Sequence, residues 1–81
     1  MAEDLGPTLE DYLEAIYRIE VEQRVARPRD ISRAQNVAGS TVTAALQSLA
    51  EKGLINYEPY ELITLTDEGR QRAEELAIRH R

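Results

Sequence analysis

Apolar positions recur every three or four residues in the first part of the chain, the spacing of helices that bury one face. The first such stretch predicts a helix over residues 8–22, with Thr8 as its N-cap. The next predicts a short helix over residues 28–35, in which Ile31 and Ala34 face inward. Two helices of this kind can pack their apolar faces together.

A third helix is predicted over residues 40–52. Asn36 tolerates the left-handed backbone that the turn before this helix needs, and Gly39 or Ser40 can cap its start. Gly53 is expected to end it as a C-terminal cap. Its inner face carries four apolar residues, Val42, Ala45, Leu46 and Leu49.

The pattern changes between residues 54 and 66, where β-branched and aromatic residues flank a turn at 58–61 and predict a two-stranded hairpin. Thr66 is then expected to cap a last helix over residues 66–81. The order is three helices, a hairpin and a helix. It predicts one mostly helical α+β domain over residues 1–81.

Composition narrows the class of protein. The chain has 81 residues, 42% of them hydrophobic, which favours a single small globular domain. It has no cysteine, which excludes disulfides and thiolate metal sites. No apolar run reaches the length of a membrane span, so a soluble cytoplasmic protein is expected. One histidine and no glycine-rich phosphate loop argue against an enzyme.

The formal net charge of -5 argues against nucleic acid as a partner, but the charges are unevenly distributed. Residues 1–22 hold seven acids and one arginine, whereas residues 23–57 hold five bases and two acids. Residues 58–81 are again acidic. DNA is contacted by one surface rather than by the average charge, so the basic middle third is compatible with phosphate binding.

Two short helices joined by a tight turn and followed by a hairpin are the arrangement of a winged helix-turn-helix. The third predicted helix suits the major groove because it presents short polar groups on its outer face. Arginines on the helix before it would contact the phosphate backbone. The candidate DNA-binding residues are Arg27, Arg29, Arg33, Gly39, Ser40, Thr41, Thr43, Ala44 and Gln47.

An alternative remains open, because polar residues on a helix surface are usually only solvated. The predicted turn of the wing carries Glu58 and Glu61, whereas a wing that binds phosphate carries lysine or arginine. A winged helix module that binds another protein through the surface near Tyr57 and Tyr60 is the competing hypothesis.

Asp11 and Glu14 are three positions apart on the first predicted helix, so both project from the same side. A divalent cation relieves the repulsion between two such carboxylates. His80 follows the apolar stripe of the last helix, and together the three side chains would make a mixed oxygen and nitrogen site for Mn, Fe, Co or Zn. The alternatives are acids that stabilise a helix start and an ordinary surface histidine.

The segments "LEDYLEAIYRIE", "RPRDISRAQNVAGSTVTAALQSLAEKGLI", "LTDEG" and "IRHR" together resemble the amino-terminal half of the DtxR/MntR family of metal-dependent transcriptional repressors. The resemblance implies a winged helix domain that binds operator DNA as part of a homodimer. It also implies that Asp11, Glu14 and His80 correspond to metal ligands for Mn(II) or Fe(II). The acid at position 11 favours the manganese-responsive branch.

Two departures from this family bear on function. The resemblance implies further ligands and a dimerisation domain after the last helix, whereas this sequence ends at Arg81. The metal site in this chain is therefore expected to be incomplete and its affinity weak. Gly39 and Ala44 stand where relatives often carry proline and a longer polar residue, so the operator sequence cannot be transferred.

Overall fold

Within residues 6–58 and 62–79, which this computed structural model describes, the chain forms four helices and one antiparallel hairpin. The elements in chain order are α1 (Gly6–Gln23), α2 (Pro28–Gln35), α3 (Gly39–Glu51), β1 (Ile55–Tyr57), β2 (Ile63–Leu65) and α4 (Asp67–Arg79). The predicted α+β class and the order of its elements are confirmed.

One hydrophobic core joins the helices to the inner face of the hairpin. Leu13 and Ile16 of α1 and Ile31 of α2 are fully buried in it. The four apolar residues predicted for the inner face of α3 are all buried, as are Ile63 of β2 and Leu76 of α4. Burial of such side chains stabilises each by about 1.5–3 kcal/mol, so tertiary packing supplies most of the stability of these short helices.

Two predictions about the first two helices are wrong. Helix α1 begins at Gly6, so Thr8 lies inside the helix and is exposed instead of capping it. Ala34 is exposed as well, because α2 turns only the side that carries Ile31 toward the core. Eight residues make little more than two turns, and one buried anchor suffices to hold them.

The start of α3 also differs from the prediction. Its N-cap position is Ala38, which has extended backbone angles, and no side chain caps the helix there. Gly39 and Ser40 lie inside the first turn. The expected cap from either of them is therefore wrong, and the first amide groups of α3 have no side-chain acceptor at the cap position.

The end of α3 agrees with the prediction. Gly53 has φ of 75°, a left-handed conformation that glycine adopts without a steric penalty. Its N–H donates to the Ala50 carbonyl at 3.0 Å, and the Leu54 N–H donates to the Leu49 carbonyl at 3.1 Å. These two bonds form a Schellman motif, which turns the chain from α3 directly into β1.

Helix α4 begins as the sequence predicts. The Thr66 hydroxyl accepts a hydrogen bond from the Gly69 N–H at 3.0 Å, so Thr66 is its N-cap. The same hydroxyl donates to the Gly53 carbonyl at 2.7 Å. One side chain therefore joins the start of α4 to the end of α3. The predicted last two residues of this helix lie outside the described residues.

A third segment of the chain pairs with the hairpin, which the sequence pattern did not indicate. Ala26, between α1 and α2, pairs with Ile63 in an antiparallel bridge, with N–H to carbonyl distances of 3.1 and 2.8 Å. In an antiparallel pair the next residue along one strand lies opposite the previous residue of the other. Arg27 therefore lies beside Leu62, at the turn end of β2.

A buried carboxylate connects the hairpin to two helices. Glu20 of α1 is 8% exposed and accepts a hydrogen bond from the Leu65 N–H at 3.0 Å. Its second oxygen, Oε1, lies 2.7 Å from Nη2 of Arg70 in α4 but is not aligned for a hydrogen bond. This second contact is therefore an ion pair, and the three residues form a clasp between α1, β2 and α4.

Candidate nucleic-acid interface

Helices α2 and α3 and the three residues between them form a helix-turn-helix. Asn36 has the predicted left-handed backbone, with φ of 57° and ψ of 51°. The Ser32 hydroxyl donates to the Val37 carbonyl at 2.6 Å, and the Val37 N–H donates back to the Ser32 carbonyl at 3.2 Å. These reciprocal bonds fix the turn and hence the direction in which α3 leaves it.

The outer face of α3 is uncovered. Ser40, Thr41, Ala44 and Gln47 are all exposed. Three of them, Ser40, Ala44 and Gln47, follow the spacing of a single helix face, opposite the buried side of the helix. An element that enters the major groove needs such a bare face with small or hydrogen-bonding side chains. The outer face of α3 is therefore exposed, as the hypothesis that this helix enters the major groove requires.

Thr43 lies at the side of that face rather than at its centre. It is half-buried, and its hydroxyl donates to the Gly39 carbonyl at 3.1 Å. Bonding of this kind, to a carbonyl one turn earlier, is common for threonine inside a helix. The proton of this hydroxyl is thus used within the helix, which leaves the methyl group and the oxygen lone pairs to contact another molecule.

The three candidate arginines are exposed and occupy two settings. Arg27 precedes α2 and lies beside β2, whereas Arg29 and Arg33 belong to α2. These two line an open groove between α2 and the start of α3, together with Gly39 and Thr43. Their guanidinium groups give this side of the helix-turn-helix the positive charge that phosphate contact requires.

The surface behind the protein-binding alternative is only partly described. Tyr57 is half-buried and packs against the core, so it offers little of its ring to a partner. Tyr60 and Glu61 lie outside the described residues. Glu58 is exposed, in agreement with an acidic wing.

Two of the candidate metal ligands, Asp11 and Glu14, lie on α1, outside the helix-turn-helix. Asp11 is exposed on α1, and Glu14, half-buried one turn later, lines a groove between α1 and α4 near Ala77. His80, three residues after Ala77, lies outside the described residues. In the described part of the chain no three histidine, cysteine or acidic side chains are grouped closely enough to hold a metal ion.

Some residues that hold the interface in place were missed by sequence reasoning. The Ala26 bridge had a signal, because the residue before a proline is driven to extended backbone and Arg27, before Pro28, has φ of -121° and ψ of 154°. The contacts of Glu20 had no such signal, since an acidic residue near the end of an amphipathic helix is common. The Gln35 side chain, whose amide donates to the Asp11 carbonyl at 3.4 Å, was missed as well.

The bare helix α3, the turn before it and the hairpin after it define a winged helix DNA-binding domain. Residues 4–62 match the family described as "Iron dependent repressor, N-terminal DNA binding domain". The chain belongs to this family, whose members are regulators of transcription and not enzymes. The predicted DtxR/MntR membership and the absence of an enzyme activity are thereby confirmed.

Two curated relatives are similar over most of the chain. It is 38% identical over 74 residues to the HTH-type transcriptional regulator MntR of Lysinibacillus sphaericus, covering 91% of this chain and 53% of that protein. It is 39% identical over 74 residues to MntR of Geobacillus kaustophilus, covering 91% and 52%. The chain thus spans about half the length of these relatives.

A solved structure supports the fold and binding to DNA. ZitR of Lactococcus lactis in complex with DNA superimposes with a TM-score of 0.79 at 26% sequence identity, over 99% of this chain and 56% of that one. Its similarity favours DNA binding over the protein-binding alternative. No helix in the described part of the chain is long and apolar enough to cross a membrane.

Proposed function

We propose that this domain binds double-stranded operator DNA by inserting α3 into the major groove. The observation that carries the proposal is the uncovered outer face of α3. Ser40, Ala44 and Gln47 are exposed there and are aligned along the helix. Hydroxyl and amide groups can bond base edges, and the Ala44 methyl can contact the methyl group of thymine. A location in the cytoplasm, beside the DNA, follows from this role.

The proposed contacts divide into two groups with different consequences. Arg27, Arg29 and Arg33 neutralise phosphates, which supplies affinity for any sequence. The exposed side chains of α3 read the bases and supply the preference for one sequence. Thr41, at the amino-terminal end of the helix, belongs to the second group by position, and Thr43 contributes its methyl group and lone pairs. Gly39 has no side chain and can contribute only its backbone.

The test is a binding titration on random-sequence duplex and on a duplex selected from a random library. Arg29→Ala or Arg33→Ala should weaken both complexes alike and reduce the slope of log affinity against log salt by about 0.9 for each phosphate that is no longer neutralised. Gln47→Ala should instead reduce the preference for the selected duplex. Arg18→Ala is the matched control, because Arg18 is exposed on α1 beside the groove to α4.

Absence of any complex between the native domain and random duplex at low salt would refute DNA binding. An equal effect of the Arg29 and Gln47 substitutions on both duplexes would instead contradict the division of roles between the helices. A decrease in affinity in the Arg18 variant as large as in the Arg33 variant would show that total charge, rather than this surface, determines binding.

We also propose that a divalent cation, Mn(II) or Fe(II), regulates the protein through Asp11, Glu14 and His80. Membership of the iron-dependent repressor family supports regulation by a divalent metal. The position of Glu14 in a groove that Ala77 of α4 also lines supports this ligand set, because His80 follows Ala77 by three residues in the sequence. Two carboxylates and an imidazole suit either metal, which would neutralise the acidic charge that α1 carries.

A homodimer of the full-length protein completes the proposal. The matched region covers only 53% and 52% of the two relatives, which leaves room in them for a dimerisation domain. Two symmetric copies would place two α3 helices in successive major grooves, one helical turn of DNA apart. Each domain would then read one half of the operator.

A further inference from the structure

The bare face of α3 ends in a negative charge. Glu51 follows Gln47 by four residues, as Ala44 follows Ser40, so it continues the line formed by Ser40, Ala44 and Gln47. It is exposed and is the last residue of α3. The face proposed to meet DNA therefore has hydroxyl and amide groups along its length and a carboxylate at its end.

Helix geometry indicates where that carboxylate would lie on DNA. A helix rises about 1.5 Å per residue, so Glu51 lies roughly 16 Å along the axis from Ser40. The major groove is only about 12 Å wide. With the Ser40 end of α3 at the base edges, the Glu51 end reaches the rim of the groove, where the phosphates are.

Glu51 is also unfavourable for the helix that carries it. The carboxyl end of a helix has a partial negative charge, so an acid in the last turn is repelled. The last turn of α3 contains no basic residue, and the nearest one, Lys52, is the C-cap that follows the helix. The same partial charge repels phosphate. The stability of α3 itself therefore does not favour a carboxylate at this position, which lies on the face proposed to meet DNA.

We propose that Glu51 limits the affinity of the domain for DNA by facing the phosphate backbone at the rim of the major groove. This inference rests on the proposed insertion of α3. Its carboxylate repels phosphate whatever the bases are, so it weakens all complexes without changing sequence preference. A single domain then binds weakly, and stable occupancy of DNA requires a second domain on an adjacent half-site.

The experiment compares substitutions at Glu51 with the same substitutions at Glu22, using random and selected duplexes without added metal. Glu22 is exposed on α1 in the groove to α4, so its variants change the net charge equally but away from α3. Glu51→Gln should raise affinity about fivefold for both duplexes at low salt, the effect of removing one repulsion between like charges in water. Glu51→Lys should raise it further and steepen the salt slope by about 0.9.

Three results would overturn the inference. Equal gains from the Glu22 and Glu51 variants would show an effect of net charge alone. A decrease in affinity in Glu51→Gln, or a gain on only one duplex, would place the carboxylate on a base, where it could accept from the amino group of cytosine. Failure of the native domain and of both Glu51 variants to bind any duplex would refute α3 insertion itself, and this inference with it.

Discussion

At the scale of single residues, Gly69 shows how closely α4 packs against the rest of the domain. A Cβ built at this position would overlap the carbonyl oxygen of Leu54, which belongs to the backbone and cannot rotate away. Gly39 is the opposite case, because a Cβ there meets no atom within 4 Å. The two glycines, each near the start of a helix, therefore have different roles.

We expect Gly69→Ala to lower the free energy of unfolding by about 1–3 kcal/mol, the typical cost of forcing extra volume into a packed site. Gly39→Ala should leave stability unchanged or raise it by up to about 1 kcal/mol, since alanine favours helices. Urea unfolding followed by circular dichroism measures both variants. A stable Gly69→Ala protein with a native midpoint would contradict the close approach of α4 to Leu54.

At the scale of elements, the sequence was informative wherever a local signal sufficed. The burial of Leu46 and Leu49 followed from helical spacing, and the helix boundaries at Gly53 and Thr66 followed from capping chemistry. The start of α1 was missed by two residues because Thr8 offered a cap that the backbone did not use. Helix ends depend on tertiary contacts that spacing does not encode.

For the candidate interface, the exposed polar face of α3 was predictable, because the apolar residues of the helix identify its opposite side. Three contacts were not, since each joins residues far apart in the chain. Ala26 pairs with Ile63, Gln35 bonds the Asp11 carbonyl, and Glu20 bonds the Leu65 amide. Only folding brings such partners together, because even the proline at position 28 indicates extended backbone before it and not the strand with which that backbone pairs.

The clasp made by Glu20, Leu65 and Arg70 gives a prediction at this scale. Glu20→Ala removes both interactions, so we expect it to lower the free energy of unfolding by about 2–3 kcal/mol. Glu20→Gln keeps an oxygen for the Leu65 N–H and removes only the ion pair. Because Arg70 is 43% exposed, that change should cost no more than about 1 kcal/mol.

Hydrogen exchange at the Leu65 amide separates the two interactions of the clasp. Exchange should accelerate in Glu20→Ala, because the amide no longer has its acceptor, and should change little in Glu20→Gln. Glu22→Ala, an exposed substitution on the same helix, serves as the control. Equal exchange rates in Glu20→Ala and the native protein would show that the carboxylate does not hold β2 in place.

At the scale of the whole molecule, positive and negative charges are separated between the proposed DNA-binding surface and the proposed metal-binding surface. The three candidate arginines lie before and on α2, beside the bare face of α3, whereas Asp11 and Glu14 lie on α1, away from that face. The net charge of -5 therefore conceals a basic side suited to phosphate and an acidic side suited to a cation. The Gln35 amide on the Asp11 carbonyl joins these two sides directly.

This separation predicts that metal binding and DNA binding can be disabled independently. We expect Mn(II) to bind the domain weakly and to raise its midpoint of thermal unfolding, because a ligand that binds only the folded state stabilises it. Asp11→Asn should abolish this shift, since it removes a carboxylate while leaving the backbone carbonyl that Gln35 bonds. Glu68→Gln, an exposed acid in the first turn of α4, should leave it intact.

The affinity of the same Asp11→Asn variant for random duplex, measured without metal, should equal that of the native domain, because Asp11 lies outside the proposed DNA surface. An Mn(II)-dependent shift that persists in Asp11→Asn would remove Asp11 from the ligand set. A shift abolished equally in Glu68→Gln would indicate diffuse attraction of the cation to an acidic protein rather than a site on α1. A regulator that links metal to DNA requires that the Mn(II)-dependent shift is lost in Asp11→Asn and kept in Glu68→Gln. Only a localised cation can favour one arrangement of α1 and the helix-turn-helix over another.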